Sequence, residues 1–254
     1  MLNDNDRQQL EEIMENNPEF NCLLLKVIEE NKFNSCKLSH ELRNPITLIN
    51  SSLQLIESQH PEVKNFKFWN ETMDDLQYVR KLLDELTSYN KGNTLIMSEY
   101  SISELLNSTC TAMLADINTA TRTFTTNYSE ELPIITGDSI KIRQVITNLL
   151  VNAKEAIDPN NGIVSLKAYC ADNDHLQIEV ADNGCGIPIE HQESIFDPFV
   201  TFKQNGSGLG LSISKKIVEA HNGSIQFVSK LNEGTIFYIT LPINPPSKNR
   251  LTHD

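Results

Sequence analysis

The chain has no basic cluster: 21 lysines and arginines stand against 34 aspartates and glutamates, a formal net charge of -13 over 254 residues. An acidic surface without basic runs lacks the electrostatic footprint that nucleic acid or anionic lipid requires. Paired cysteines are missing too. Cys22, Cys36, Cys110, Cys170 and Cys185 are odd in number, scattered and without a CxxC pair, which argues against a disulfide framework or a zinc site and for a reducing cytoplasm. No apolar run reaches the length of a bilayer, and the start, MLNDNDRQQLEEIMENN, has neither a basic nor an apolar leader region. The expectation is a soluble cytoplasmic protein with no membrane insertion. Repeats and low-complexity tracts are absent, and the length suits one or two domains, each able to bury its own core.

What is present begins with helical spacing. Residues 1–18 are polar and acidic, and Asn16-Asn17-Pro18 breaks the chain before the first long pattern. Phe20, Leu24, Val27, Leu38, Leu42, Ile49, Leu53 and Ile56 keep the helical period, predicting a helix over about 19–58 with one stripe facing a core. His40 lies about opposite the middle of the Leu38–Leu42 stripe, Glu41 is beside it, and Asn44 stacks one turn along. Pro45 removes a backbone donor just past the imidazole and should bend the helix there. Gln59-His60-Pro61 reads as a turn, with Pro61 opening a second helix through Val63, Phe66, Trp69, Met73, Leu76, Leu83 and Leu86 to about Tyr89. A connection this short makes the two helices antiparallel neighbours. A lone hairpin buries too little, so a homodimer forming a four-helix bundle is expected.

Periodicity stops at Asn90-Lys91-Gly92-Asn93-Thr94, the expected domain boundary, and a mixed pattern follows. Helices are expected at 101–115, with Ser101 and Glu104 as a capping box, at 139–157, and at 209–221 closed by Asn222-Gly223. Strands are expected at 122–128, 162–171, 175–180, 224–229 and 235–241. The fold class is therefore α+β, a helical hairpin over 19–90 followed by a second domain over 95–243, with a disordered tail over 244–254.

Four stretches of this second domain carry chemistry. Asn148 and Asn152 are four apart beside the apolar face of the 139–157 helix, and an amide oxygen is a hard ligand suited to Mg2+. Val180-Ala181-Asp182-Asn183-Gly184-Cys185-Gly186-Ile187-Pro188 follows a strand; Asp182 could accept from the exocyclic amine of a base, and Gly184 and Gly186 let backbone approach a ring. Phe196-Asp197-Pro198-Phe199 reads as an apolar hinge before a short polar lid, Val200 to Asn205. Gly206, Gly208 and Gly210 open a helix, whose free N–H groups attract phosphate. Each motif alone is weak. Cys185 reads as a small residue in a glycine turn, His221 as a helix end, His175 and His191 as residues of loops or helix starts, His60 as a turn residue, and Phe66 and Trp69 as hairpin core.

In the order SHELRNP, NLLVNA, DNGCGIP, FDPF and GSGLGL, over about Phe20 to Pro242, the chain resembles the sensor histidine kinases of two-component signalling. The hairpin corresponds to their dimerisation and phosphoacceptor domain, and the remainder to the ATP-binding α/β sandwich shared with gyrase, Hsp90 and MutL. The NAKEA helix end and the Thr201-Phe202-Lys203 lid resemble the nitrogen-regulatory and sporulation branch. The resemblance implies ATP and Mg2+, phosphorylation of His40 with Glu41 as general base, and Asn152 on Mg2+ with Asn148 beside it. It also implies Asp182 on adenine, Gly184 and Gly186 lining its pocket, Gly206, Gly208 and Gly210 around the phosphates, and Lys203 on the γ-phosphate. Asn44 would position the water that dephosphorylates a response-regulator receiver domain, making the protein a bifunctional kinase and phosphatase. Many relatives carry a basic residue three positions after the Mg2+ asparagine. Here Glu155 stands there and Lys154 is one position off, so neither takes a phosphate role and Lys203 bears more of the charge. With no sensor segment in the sequence, a separate sensory protein is one source of input. The rivals are a non-catalytic phosphorelay scaffold, which would lack some of these boxes, an ATP-hydrolysing relative, which would want a carboxylate in place of Asn148, and a serine kinase, which would lack the hairpin.

Overall fold

The computed structural model describes residues 17–90, 95–118, 121–129, 131–203 and 206–244, with the side chains of 18–25, 27–29, 31–36, 40, 115 and 116 outside the description. The N-terminal segment to residue 16, the boundary at 91–94 and the tail from 245 therefore lie outside the described residues, as do the side chains of Phe20, Leu24 and Val27. The chain divides into two compact units, Met1–Gly92 and Asn93–Asp254.

The first unit is a helical hairpin. α1 runs over Pro18–Gln59 and passes through Pro45, which removes the donor that would reach the Glu41 carbonyl. A 3-10 turn over Pro61–Asn65 follows, and α2 occupies Trp69–Asn90. The second α-helix thus begins eight residues later than its apolar spacing predicts. Phe66 is extended and Phe68 takes a left-handed φ of 71°, so the chain leaves and re-enters helical geometry between them.

Which face of α1 meets α2 also differs from expectation. Ser39 and Asn50 are buried, and Arg43, Ile46, Leu53 and Glu57 half-buried, at alternating spacings of four and three. Arg43 Nη2 reaches Asp84 Oδ1 at 2.7 Å and Thr87 Oγ1 at 3.1 Å, and Lys64 pairs with Glu57 at 2.8 Å. Leu38, Leu42, Ile49 and Ile56 lie one residue over and are 41–55% exposed. One residue turns a helix by roughly 100°, so α1 carries two heptad stripes: a largely polar one inside the hairpin and an apolar one facing outward. Phe66 is likewise 60% exposed rather than core, whereas Trp69 is half-buried.

The second unit has two sheets. β1 (Ser98–Ser101) leads into α3 (Ile102–Ile117), capped where Ser101 Oγ accepts the Glu104 N–H. β2 (Thr123–Tyr128) and β3 (Ile134–Gly137) precede α4 (Ser139–Ala156). β4 (Ile163–Cys170), β5 (His175–Asp182), the short α5 (Ile189–Gln192), α6 (Gly210–Ala220), β6 (Ser224–Lys230) and β7 (Gly234–Pro242) complete the unit. β1 pairs antiparallel with β3, two four-residue strands that the sequence pattern does not reveal. The main sheet has the order β2-β4-β5-β7-β6, parallel only between β2 and β4.

Alternation places the core. Val164, Leu166 and Ala168 of β4, Leu176, Ile178 and Val180 of β5, and Phe237, Ile239 and Leu241 of β7 are buried. Between them lie exposed or half-buried residues such as Lys167, Tyr169, Gln177 and Glu179. Period-two burial means one covered face. The cover is helical: α4 packs on β5, α6 on β6, and α3 on β2. α4 supplies Ile142, Val145, Ile146, Leu149, Leu150 and Ala153, all buried. The result is a two-layer α/β sandwich beside the small sheet.

Two buried polar residues join this layer. Asp138 caps α4, its Oδ1 accepting the Ile140 and Lys141 N–H groups at 3.1 Å and its Oδ2 that of Ile96 at 3.0 Å. The Asp138 N–H donates to His221 Nε2 at 2.9 Å, and His221 Nδ1 faces the Ile217 carbonyl at 2.7 Å. His221 ends α6 as its position suggests, and it also ties the α6 terminus to the α4 cap.

Candidate active site

α4, with one face in the core, turns Asn148, Asn152 and Glu155 toward its edge. Asn148 Nδ2 donates to Ser214 Oγ at 2.9 Å, and Ser214 Oγ donates to the Gly210 carbonyl at 3.0 Å. A Cβ on Gly210 would overlap the Asn148 amide, so the third glycine of the 206–210 stretch is seated on the first asparagine. Ser214, almost fully buried on α6, makes that seat and carries no motif that would have marked it. At the start of α6 no side chain caps the helix. Its first N–H groups and positive end are left for an anion.

Lys203 joins lid and helix. Its Nζ donates to Asn152 Oδ1 at 2.8 Å and forms a short ion pair with Glu155. Residues 204 and 205 of the lid lie outside the described residues. Gly206 and Gly208 pack on the lid itself: a Cβ would strike Thr201 at Gly206, and the Phe199–Val200 backbone at Gly208, where φ is 68°. The His191 ring stacks on Phe202 with centroids 3.7 Å apart and planes 14° from parallel, a contact between α5 and the lid that sequence reasoning missed. Of the apolar hinge, Phe196 packs edge-on against Phe227 and Phe237, while Phe199 is exposed.

Asp182 closes β5. Its Oδ1 accepts the Gly184 N–H at 2.9 Å. Burial pushes its carboxyl above the ordinary value, partly offset by the Gly184 and Thr235 N–H groups and by the charge of Lys203. A half-buried carboxylate with acceptor capacity remaining can read a donor on a base. The loop after it is held from both sides. Asn183 Oδ1 accepts the Ile163 N–H at 2.7 Å, the Cys185 N–H reaches the Ala156 carbonyl at 3.1 Å, and Ser229 Oγ accepts the Ile187 N–H at 2.8 Å. A Cβ on Gly184 would overlap the Ala156 backbone, and one on Gly186 the Lys230 carbonyl. The reason for these two glycines is close packing of chain on chain, which seats the loop on the end of α4 at Gly184 and on the end of β6 at Gly186. Cys185 sits in that turn with its thiol exposed.

The second unit therefore gathers Asn148, Asn152, Asp182, Lys203 and the glycines along one edge of α4. His40, Glu41 and Asn44 belong to the first unit, on α1. Glu41 and Asn44 are exposed, Glu41 pairs with Lys37 at 3.9 Å, and the His40 side chain lies outside the described residues. Among the described residues no three His, Cys, Asp or Glu side chains converge as a metal site, and no helix is long and apolar enough to cross a membrane.

Residues 137–245 match the family model of the histidine kinase-, DNA gyrase B- and HSP90-like ATPase. The solved catalytic domain of histidine kinase ThkA is 31% identical, with a TM-score of 0.53, and the match covers 59% of this chain and 99% of that domain. The chain belongs to the sensor histidine kinase family. The histidine-protein kinase AtoS of Escherichia coli is 30% identical over 208 residues, 82% of this chain and 34% of AtoS. The sensory histidine kinase/phosphatase NtrB of Rhodobacter capsulatus is 30% identical over 220 residues, 82% of this chain and 61% of NtrB. The chain thus spans about a third of AtoS and less than two thirds of NtrB. Membership of the family brings an ATP-binding domain of the α/β sandwich type, and the site chemistry fits such a ligand. Asp182 offers a half-buried acceptor, the start of α6 offers N–H groups that no described side chain caps, and Asn152 and Glu155 already converge on a cation, the Lys203 ammonium.

Proposed function

We propose that the chain is the kinase core of a two-component system, which phosphorylates His40 from ATP and passes the phosphoryl group to an aspartate of a response-regulator receiver domain. The observation that carries this reading is the 2.8 Å bond from Lys203 Nζ to Asn152 Oδ1, which joins the α4 asparagine to the lid on which Gly206 and Gly208 pack. Asp182 accepts from the adenine amine, while Gly184 and Gly186 shape the loop over the base. Gly206, Gly208, Gly210 and the α6 N-terminus hold the phosphates, with Asn148 behind Gly210. Asn152 ligates Mg2+, which when bound neutralises charge on the transferring phosphoryl group. Lys203 reaches the γ-phosphate.

One ring nitrogen of His40 attacks the γ-phosphorus, the bond to the β–γ bridging oxygen breaks, and ADP leaves. Glu41 takes the proton from the other nitrogen. In the second step a receiver aspartate oxygen attacks phosphorus and the N–P bond breaks. Asn44, one turn from His40, positions the water that later hydrolyses the aspartyl phosphate, a phosphatase activity that the relative NtrB, a histidine kinase/phosphatase, carries in its name. Residues 19–90 are the dimerisation and phosphotransfer hairpin, and 95–243 the catalytic domain. The exposed stripe of Leu38, Leu42, Ile49 and Ile56 supports a homodimeric four-helix bundle. A cytoplasmic site of action follows from the ATP donor.

The test is incubation of the purified protein with γ-labelled ATP and Mg2+ alongside His40→Gln. Label that is lost in acid, survives alkali and is absent from the variant is expected. Acid-stable label, or equal label in the variant, would overturn the assignment.

A further inference from the structure

The geometry points to Glu155 as a second protein oxygen of the Mg2+ site, contributing the carboxylate that Asn152 cannot. This rests on the ATP-dependent reading above and goes beyond it, since there the metal has one protein ligand. Asn152 and Glu155 are three residues apart on α4 and so share a face. The Lys203 Nζ touches Asn152 Oδ1 and Glu155 Oε2 together, so both oxygens converge on one cation position. Mg2+ beside substrate phosphates is ordinarily held through one or two carboxylates, and Asn152 is neutral.

The other candidates near Lys203 are committed. Asp182 accepts two backbone N–H groups, and its burial disfavours charge. Asn148 is turned toward Ser214 and Gly210. Glu155 is half-exposed on the open edge of α4, free to adjust its rotamer to a metal. Charge makes the same point. Once Lys203 moves to the γ-phosphate, Glu155 would face the polyphosphate as an unpaired like charge, which is unfavourable at this range unless a cation lies between them. Mg2+ entering with the nucleotide takes the place of the ammonium, and Lys203 is released toward the phosphates.

The experiment is calorimetric titration of the whole chain with ADP, with and without Mg2+ or Mn2+, for wild type, Glu155→Gln, Lys203→Met and the double variant. The readout is metal enhancement, the ratio of metal-free to metal-bound Kd. Enhancement is expected to fall about tenfold or more in Glu155→Gln, with metal-free affinity unchanged or tighter because a charge facing the phosphates is gone. Lys203→Met should keep its enhancement, and adding Glu155→Gln to it should remove it. If Glu155 serves only as a partner for Lys203, its substitution will change both affinities alike and will have no effect in the Lys203→Met background. That pattern overturns the proposal. Absence of ADP binding, or of metal enhancement, in the wild type would instead sink the ATP and Mg2+ reading. Unchanged thermal unfolding of the variants keeps these outcomes separate from misfolding.

Discussion

Replacing Asp182 by Asn should separate nucleotide recognition from stability. The variant keeps one oxygen, with two lone pairs, for the Gly184 N–H, now bonded at 2.9 Å, and the Thr235 N–H, but turns an NH2 group toward the adenine amine, donor against donor. A hydrogen bond to a charged acceptor is worth about 1.5–3 kcal/mol, so the ATP Kd should rise about ten- to a hundredfold at roughly 1.4 kcal/mol per decade. GTP presents a carbonyl at that position and should not be weakened. The raised carboxyl fixes the sign of two pH effects. Its folded pKa lies above the ordinary value, so its contribution to stability is full below that ordinary value and lost as pH rises through the folded pKa. At neutral pH the variant should therefore unfold at the same or a higher temperature while binding ATP more weakly. As pH falls through the raised value, the wild type should lose ATP affinity as Asp182 protonates, and Asp182→Asn should not. Calorimetric titration with ATP and GTP over a pH series measures all of this. An ATP Kd within about twofold of wild type, or an equal loss for GTP, would refute the assignment of Asp182 to the base.

His221 should make the second unit acid-sensitive. Its Nε2 must be unprotonated to accept from Asp138, and burial holds its pKa below the ordinary imidazole value, against opposing pulls from the Ile217 carbonyl and the Asp138 charge. A depressed pKa means stability that is present above the ordinary value and lost as pH falls through the folded one. Tm should decline on acidification below pH 6.5, and more gently in His221→Gln, which keeps an acceptor but cannot titrate; equal slopes would contradict this. Ile49→Asp should break the proposed homodimer. Burying each isoleucine contributes about 1.5–3 kcal/mol and symmetry counts it twice, so dissociation should strengthen about a hundredfold or more. Sedimentation velocity shows whether the mass halves. Asn44→Ala should keep autophosphorylation while dephosphorylation of a phosphorylated receiver domain slows about a hundredfold, and a variant as fast as wild type would remove Asn44 from that role.

Much of the second unit is legible in the sequence. α4 declares itself through six apolar residues at helical spacing, and the strands of the main sheet through alternation. β1 and β3 were not legible because four residues hold too little pattern to stand out, and each exists only by pairing with the other. The inner face of α1 was misread for a different reason. Two stripes lie one residue apart, and apolarity favours the Leu38 series. The stripe that meets α2 contains Ser39, Arg43 and Asn50, whose place depends on partners such as Asp84 and Thr87 in the other helix. The same limit applies at the site. Asn152 and Lys203 were readable from motifs, but Glu155 took its meaning only from a lysine 48 positions away, and Ser214 from an asparagine 66 positions away.

The central claim is that ATP held along α4 phosphorylates His40. Its most direct test is peptide fragmentation of the whole chain after incubation with Mg2+ and ATP, handled at alkaline pH, with inorganic phosphate release followed in parallel. The account predicts phosphate on the His40 imidazole and little free phosphate. Phosphate on a serine or threonine, or steady release of free phosphate from ATP while His40 stays unmodified, would contradict it.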